Sequence, residues 1–257
     1  MSKKKKVVIV GGGINGLVAA NYLSKDGFSV SIIERNPIVG GACTFRTKKI
    51  GDQTIDFAYG ATVFGMMPDF IFQETGLSNN VEIFAPKHPK LVYFPDSNTS
   101  TRIYQNYKKL DQEIKNKWGE RGDLESYRND EDKIVDFIRQ GFRYGETPSI
   151  EKANTVLGKT LTNLWINGSA KNLLDHYFTS DKTKIYMGMT RIESGSSSMH
   201  NKGTAFTIPL MDSGSVFNGY WGYVKGGIWQ ITEEITKINQ SQGVMFYMSS
   251  NIHSIDS

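Results

Sequence analysis

"VVIVGGGINGLVAANYLSKDGFSVSIIERN", residues Val7 to Asn36, reads as an apolar strand, a glycine turn, a helix and a second strand that ends in an acid. Val7, Val8, Ile9 and Val10 form a β-branched run of the kind carried by a parallel strand buried on both faces, so a central strand is expected. Gly11, Gly13 and Gly16 follow as G-x-G-x-x-G, and Leu17, Val18, Ala20 and Leu23 repeat at helical spacing. Asp26-Gly27 closes the helix, and "FSVSII", Phe28 to Ile33, is a second strand running into Glu34.

Backbone without a Cβ turns sharply, approaches a pyrophosphate closely and lets helix and strand pack. The helix that follows offers free N–H groups and a positive dipole end to the phosphates. Glu34 lies 18 residues beyond Gly16, where an acid accepts hydrogen bonds from a ribose. Strand, glycines, helix, strand and acid in this order point to dinucleotide binding. The geometry is common to NAD and FAD, so it leaves the choice between them open.

The next residues bear on that choice. "ERNPIVGGACTF", Glu34 to Phe45, resembles the segment after the ribose-binding acid in the family of FAD-dependent amine oxidases, protoporphyrinogen oxidases and phytoene desaturases, with Gly40 and Gly41 matching a second glycine pair. "IDFAYGATVFGMMPDFI", Ile55 to Ile71, resembles the family's next block, a strand, a turn and a helix, with Gly60 and Ala61 as the matching residues. "SAKNLLDHYFTSDKTKIYM" (Ser169 to Met187) and "GYWGYVKGGIWQITEEI" (Gly219 to Ile235) resemble the phytoene-desaturase-like branch labelled pyridine nucleotide-disulphide oxidoreductase domain-containing protein 2. In that branch the tryptophan and glycine-pair block introduces a helix and then a strand pair touching the adenine end; "GVMFYMSSNIHSI", Gly243 to Ile255, fits it, with Ile252 at the matching position.

The resemblance implies FAD as cofactor. It assigns Gly11, Gly13 and Gly16 to the pyrophosphate, Glu34 to the ribose, and Gly40, Gly41 and Ala42 to close backbone passage; Arg35 lies over the adenine or pairs with a surface carboxylate. It implies an α/β fold: a parallel Rossmann-like FAD-binding sheet from residues 1–85, a substrate or cap region from 86–215, and a return to the FAD-binding domain from 216–257. The implied activity is removal of hydride from an apolar, isoprenoid- or carotenoid-like substrate to the flavin, with the electron acceptor open. A flavin-dependent isomerase of the carotenoid or sugar-nucleotide type shares these signals, and an interaction or regulatory protein without turnover is the rival from another class. Family members are roughly twice as long, because their two intertwined domains exceed one compact domain. Nothing near Ser257 resembles their last glycine-rich segment, so an N-terminal fragment is expected.

Composition narrows the partners. The formal charge is +4, but Lys3 to Lys6 supplies most of the excess and reads as a solvated tail, so no nucleic-acid partner is expected. A single cysteine, Cys43, excludes a paired-thiol mechanism within the chain and reads as a packing residue. The apolar stretch after the lysines is too short for a signal peptide or a membrane span, so a cytoplasmic protein is expected, with peripheral membrane contact left open. His88, His176, His200 and His253 show no metal-ligand spacing, and no catalytic acid or base stands out. Its absence fits a reaction in which the flavin breaks the bond and the protein orients the substrate and excludes water. Phe206, Phe217, Tyr220, Trp221, Tyr223 and Trp229 read as core or as the lining of an apolar substrate cavity. Between Ser97 and Glu151, Ile134, Phe137, Ile138 and Phe142 share a helical face, while the charged run Tyr107 to Lys133 reads as solvated surface.

Overall fold

The β-branched run becomes β1 (Lys6–Val10), and Gly11, at φ +101°, turns the chain out of it in a conformation that side-chain-bearing residues resist. In the computed structural model, residues 4–145, 147, 149–193, 195–214, 216–217 and 220–255 are described. Gly219 and the side chain of Phe142 lie outside the described residues. The chain divides into two units, Met1–Phe84 with Gly222–Ser257, and Ala85–Trp221.

In the first unit α1 (Ile14–Lys25) follows the glycine turn, with Leu17 and Ala20 buried and Lys25 in its last turn, where a cation suits the carbonyl end. β2 (Ser29–Ile33) pairs in parallel with β1, Val8 opposite Ser31 and Val10 opposite Ile33. β3 (Phe45–Ile50) and β4 (Gln53–Ala58) form an antiparallel ribbon, α2 (Asp69–Glu74) starts after Pro68, and β5 (Ile83–Phe84) ends this stretch.

The second unit opens with an antiparallel pair, β6 (Lys90–Phe94) and β7 (Thr99–Ile103), and is otherwise helical. Asn106 caps α3 (Tyr107–Trp118), Asp123 caps α4 (Leu124–Tyr144) and Ser149 caps α5 (Ile150–Leu161), each side chain accepting an N–H of its first turn. A π-helical turn at Thr162–Ile166 leads to α6 (Ala170–Tyr177), α7 (Asp181–Met187), α8 (Met189–Glu193) and α9 (Thr207–Ser213). The expectation of a solvated surface over Tyr107 to Lys133 is overturned. Leu110, Ile114, Trp118, Leu124 and Tyr127 from that run join Ile134, Ile138, Trp165 and Leu173 in the core. Tyr127 stacks obliquely on Trp165 and Phe178, both at 5.1 Å between ring centres. The i, i+4 spacing of Leu110, Ile114 and Trp118 was present in the sequence, but the charges between them dominated the composition.

The chain returns to the first unit with β8 (Tyr223–Val224), antiparallel to β5, then α10 (Trp229–Ser241) and β9 (Met245–Tyr247). β9 pairs in parallel with β2, giving the strand order β1-β2-β9. Two expectations need correcting here. The strand pair expected after the glycine-pair block is one strand followed by irregular chain. Among the described residues β1 is an edge strand with one bare face, Val8 and Val10 being 58% and 57% exposed; a β-branched run reports a strand with two apolar faces, not whether both are covered. On the other face, Val30 and Ile32 are buried, and α1 packs on α10 through a side-chain amide pair. Asn21 Nδ2 donates to Asn239 Oδ1 at 3.0 Å, and Asn239 Nδ2 donates to the Leu17 carbonyl at 2.9 Å, with both asparagines fully buried. Among the described residues no helix is long and apolar enough to cross a membrane.

One buried carboxylate fastens two loops of the second unit. Glu120, 3% exposed, accepts from the N–H groups of Arg121, Gly122 and Thr179 at 2.9, 2.7 and 2.8 Å and from the Thr179 hydroxyl at 2.9 Å. Burial opposes its charge, but these donors prevail and hold its pKa at about 2. The carboxylate therefore stabilises the fold fully above its ordinary value of 4.5, and this is lost as pH falls toward about 2. Its contribution is on the order of 3 kcal/mol. Glu120→Gln, which sets an amide against those donors, should lower the urea midpoint near neutral pH and flatten its fall between roughly pH 5 and 2. An unchanged acid limb in the variant would remove this role.

Candidate cofactor-binding site

Three glycine turns far apart in sequence stack on one another at the ends of β1 and β2. The Gly40 N–H donates to the Gly12 carbonyl at 2.8 Å, and Gly13 and Gly40 form an isolated parallel bridge. A Cβ on Gly41 would lie 3.3 Å from the Gly13 Cα. Ala61 N–H donates to the Ala42 carbonyl at 2.7 Å, and a Cβ on Gly60 would come within 2.7 Å of that same oxygen. Gly11, Gly13, Gly16, Gly40, Gly41, Ala42, Gly60 and Ala61 are thus brought together by backbone contacts alone.

The fingerprint glycines differ in what they do. A Cβ on Gly16 would lie 2.3 Å from the Gly11 carbonyl oxygen, so the start of α1 packs on the turn only because Gly16 has none. A Cβ on Gly13 would meet nothing within 4 Å, and its backbone (φ −71°, ψ 171°) suits any residue. Gly13 therefore borders open space at the start of α1. No side chain caps that helix start and no acid sits in its first turn, so its N–H groups are available to an anion.

Glu34, 7% exposed, closes the other side of the turn. Oε2 accepts the Gly12 N–H at 2.7 Å, and Oε1 accepts the Asn36 N–H at 2.9 Å and Asn36 Nδ2 at 2.8 Å. Burial pushes its pKa up, but the Asn36 and Gly12 donors, helped by the charge of Arg35, hold it below the ordinary value. Oε2 keeps one acceptor position beyond the Gly12 bond. Arg35 is exposed. Ile252, 36% exposed, lies in the chain after β9, which runs beside the acid: Ser250 N–H donates to the Glu34 carbonyl at 2.9 Å and Ser249 N–H to the Asn36 carbonyl at 3.1 Å.

Three supporting residues escaped the sequence reading. Asn36 orients the acid and stands two residues after it, a signal visible in "ERN". Gly12, outside the three fingerprint positions, must also be small, since its Cβ would fall 2.7 Å from Val39 Cγ1. Thr232 of α10 donates its hydroxyl to the Cys43 carbonyl at 3.0 Å, a link across 189 positions that no local pattern announces. Behind this loop lies a cavity of about 400 Å³ between α10 and β9, lined by Val39, Phe45, Trp229, Thr236, Phe246 and Met248 among others; the fingerprint glycines do not line it. Cys43 is half-buried and its thiol is pushed up by burial, which opposes nucleophilic use. His88 and His176 meet the edges or faces of Tyr104 and Tyr177, and no group of potential metal ligands occurs among the described residues. Of the late aromatics, Phe206 and Tyr220 lean on the core of the second unit, Trp229 packs on Phe45, and Tyr223 is exposed.

Residues 9–70 match the model of the NAD(P)-binding Rossmann-like domain. The chain is similar to phytoene desaturase of Fusarium fujikuroi, 26% identical over 98% of this chain and 44% of the relative, so it spans less than half the length of that protein. The match runs through the middle region, where the motif resemblance is poor. Among solved structures, a Rab GDI from Plasmodium falciparum has a TM-score of 0.57 at 12% identity, covering 98% of this chain and 60% of that one. Cyclohexylamine oxidase from Brevibacterium oxydans has 0.55 at 16% identity, covering 96% and 51%. These likenesses show the fold: α/β, with a Rossmann-like region and a helical second region.

Removing the acid should disturb the turn even with nothing bound. Glu34→Ala leaves the Gly12 N–H without its partner and should cost about 1–3 kcal/mol in urea unfolding, with Glu34→Gln costing less because one amide oxygen still accepts. Equal midpoints for Glu34→Ala and wild type would show that the carboxylate does not brace the turn.

Proposed function

We propose that this chain is the FAD-binding and substrate-side part of an FAD-dependent oxidoreductase of the phytoene-desaturase type, acting on an apolar, isoprenoid-like substrate. The observation that carries the reading is the Gly13–Gly40 bridge, which with the Gly12 N–H bond to Glu34 joins the fingerprint turn, the second glycine pair and the acid beside the open space at Gly13. The likeness to a phytoene desaturase over 98% of the chain supports the choice of substrate class.

The residues present fit FAD. The uncapped start of α1 and the open space at Gly13 suit a pyrophosphate, with Gly11 and Gly16 shaping the turn. The spare acceptor position of Glu34 suits a ribose hydroxyl. Arg35 and Ile252 would flank the adenine, and Gly40, Gly41, Ala42, Gly60 and Ala61 would let the cofactor pass close to the backbone. Bound FAD supplies the hydride acceptor. The chain's own groups bind and orient; the histidines packed on tyrosine rings and the half-buried thiol, raised by burial, are not placed for proton transfer.

Two substitutions separate ligand binding from folding. Gly13→Ala adds a methyl only to open space and should lower the thermal midpoint far less than Gly16→Ala while weakening flavin retention after gel filtration with FAD. Gly16→Ala drives a methyl into the Gly11 carbonyl and should destabilise the chain by about 1–3 kcal/mol with or without FAD. A wild-type chain that holds no flavin at saturating FAD, or a Gly13→Ala chain that holds it equally well, overturns the cofactor assignment. Anaerobic product analysis tests the reaction: bleaching of the flavin band with an oxidised product supports it, and isomerised product without net oxidation replaces it with the isomerase reading.

A further inference from the structure

The cavity behind the second glycine loop lies wholly in the first unit, and its two walls are chemically unlike. Ile38, Val39 and Phe45 from the loop, with Phe246 of β9 and Met248 just after it, make one wall apolar. The facing wall is a stripe of α10, where Glu233, Thr236, Lys237 and Gln240 follow Trp229 at helical spacing. Ile231 and Ile235, buried residues of that helix, fall on its opposite side by the same spacing. A short polar stripe set against an apolar wall leaves a space of about 400 Å³, within the roughly 300–1,000 Å³ of small-molecule sites. Trp229, at the end of the stripe, is fixed by a glycine. A Cβ on Gly227, at φ +107°, would fall 2.4 Å from its indole ring, and the Phe45 ring lies 5.3 Å away between centres. The glycine pair before α10 thus seats one wall of the cavity.

The polar groups of the stripe define what an occupant must offer. The Thr236 hydroxyl gives its hydrogen to the Thr232 carbonyl at 2.6 Å, so toward the cavity it can only accept. The Thr232 hydroxyl is turned to the Cys43 and Trp229 carbonyls, at 3.0 and 2.9 Å. Glu233 and Lys237 carry opposite charges on the same rim, Glu233 accepting from the Gln230 amide at 3.0 Å and the Lys237 side chain standing 69% exposed, so neither a cation nor an anion finds an unopposed partner. A neutral molecule with an apolar body and one hydroxyl satisfies both walls. Its body covers the aromatic and aliphatic side chains, and its hydroxyl donates to Thr236.

We propose that this cavity is a ligand site for a neutral apolar alcohol, and that filling it stiffens the glycine turns on the other side of the loop. Its wall residues touch those turns directly. A Cβ on Gly12 would lie 2.7 Å from Val39 Cγ1, and a Cβ on Gly40 would lie 3.1 Å from Thr232 Oγ1 and 3.3 Å from Thr44 Cβ. Openings that part the Gly40 N–H from the Gly12 carbonyl, 2.8 Å apart, therefore move the same wall that a ligand covers. A ligand that binds only the closed arrangement suppresses such openings by mass action. None of this involves a flavin, so the site stands or falls apart from the cofactor assignment.

Calorimetric titration of the full chain without flavin should show decanol binding one-to-one, about tenfold more tightly than decyl methyl ether or decanoate. The ether lacks the hydrogen that Thr236 accepts, and decanoate brings an unpaired charge. Thr236→Val keeps the shape and should make alcohol and ether equal, whereas Thr236→Phe fills the cavity and should abolish both. With decanol at about ten times its Kd, hydrogen exchange at the Gly40 and Cys43 amides should slow about tenfold. Absence of saturable decanol binding, or equal wild-type affinities for alcohol and ether, overturns the site. Binding that survives Thr236→Phe places the alcohol elsewhere and overturns it too. Unchanged exchange at saturation overturns the link to the glycine turns. If Thr236→Phe does not fold, Thr236→Val decides: a preference for the alcohol that persists there removes the assignment.

Discussion

The peptide of Gly12 is the joint on which the first unit depends. Its N–H is held by Glu34 and its carbonyl by Gly40, so one residue fixes the end of β2 and the second glycine pair against the first turn. Each partner is separately constrained. Glu34 is oriented by Asn36, and the loop after Gly40 is tied to α10 through Thr232 and the Cys43 carbonyl. The open space beside Gly13 is therefore bounded by backbone whose position is set from three sides, and a ligand there meets amides that are already placed.

Two buried acids do different work because their surroundings supply different partners. Glu120 is surrounded by N–H and hydroxyl donors and stays charged, so it acts as a clamp between loops. Glu34 has fewer donors and a spare acceptor position, so it can brace a turn and still receive a ligand. Residue type alone does not separate these roles; the donors arrive from elements distant in sequence.

This explains what was legible in the sequence. The succession β1, α1, β2 and the gathering of Gly11, Gly13, Gly16 and Glu34 follow from patterns within 30 residues, where periodicity and turn chemistry act locally. The stacking of Gly40 and Gly60 on that turn was reached only through resemblance, since nothing local dictates which glycines meet. Strand position differs for the same reason: Val8 and Val10 are as apolar as central-strand residues, yet among the described residues β1 has β2 on one edge and no neighbouring strand on the other. Whether a strand is central is decided by its neighbours, which in this sheet include a strand over 200 residues away.

The second unit was misread because its interior is not purely apolar. Between Tyr107 and Lys133 the charges that suggested a solvated surface include Glu120 and Glu131, which are buried, while Leu110, Ile114 and Trp118 form a narrow stripe easily outweighed in composition. The buried charges have a structural consequence that an apolar stripe does not. Packed leucines and tyrosines tolerate small sliding of one helix on another, but the Arg128–Asp212 and Arg139–Ser213 contacts are satisfied in a single register of α9 on α4. Moving α9 by one turn would strand a guanidinium or a carboxyl group in the interior at a cost exceeding most single packing contacts. The apolar residues thus make the helices associate, and the charged ones decide where they stop.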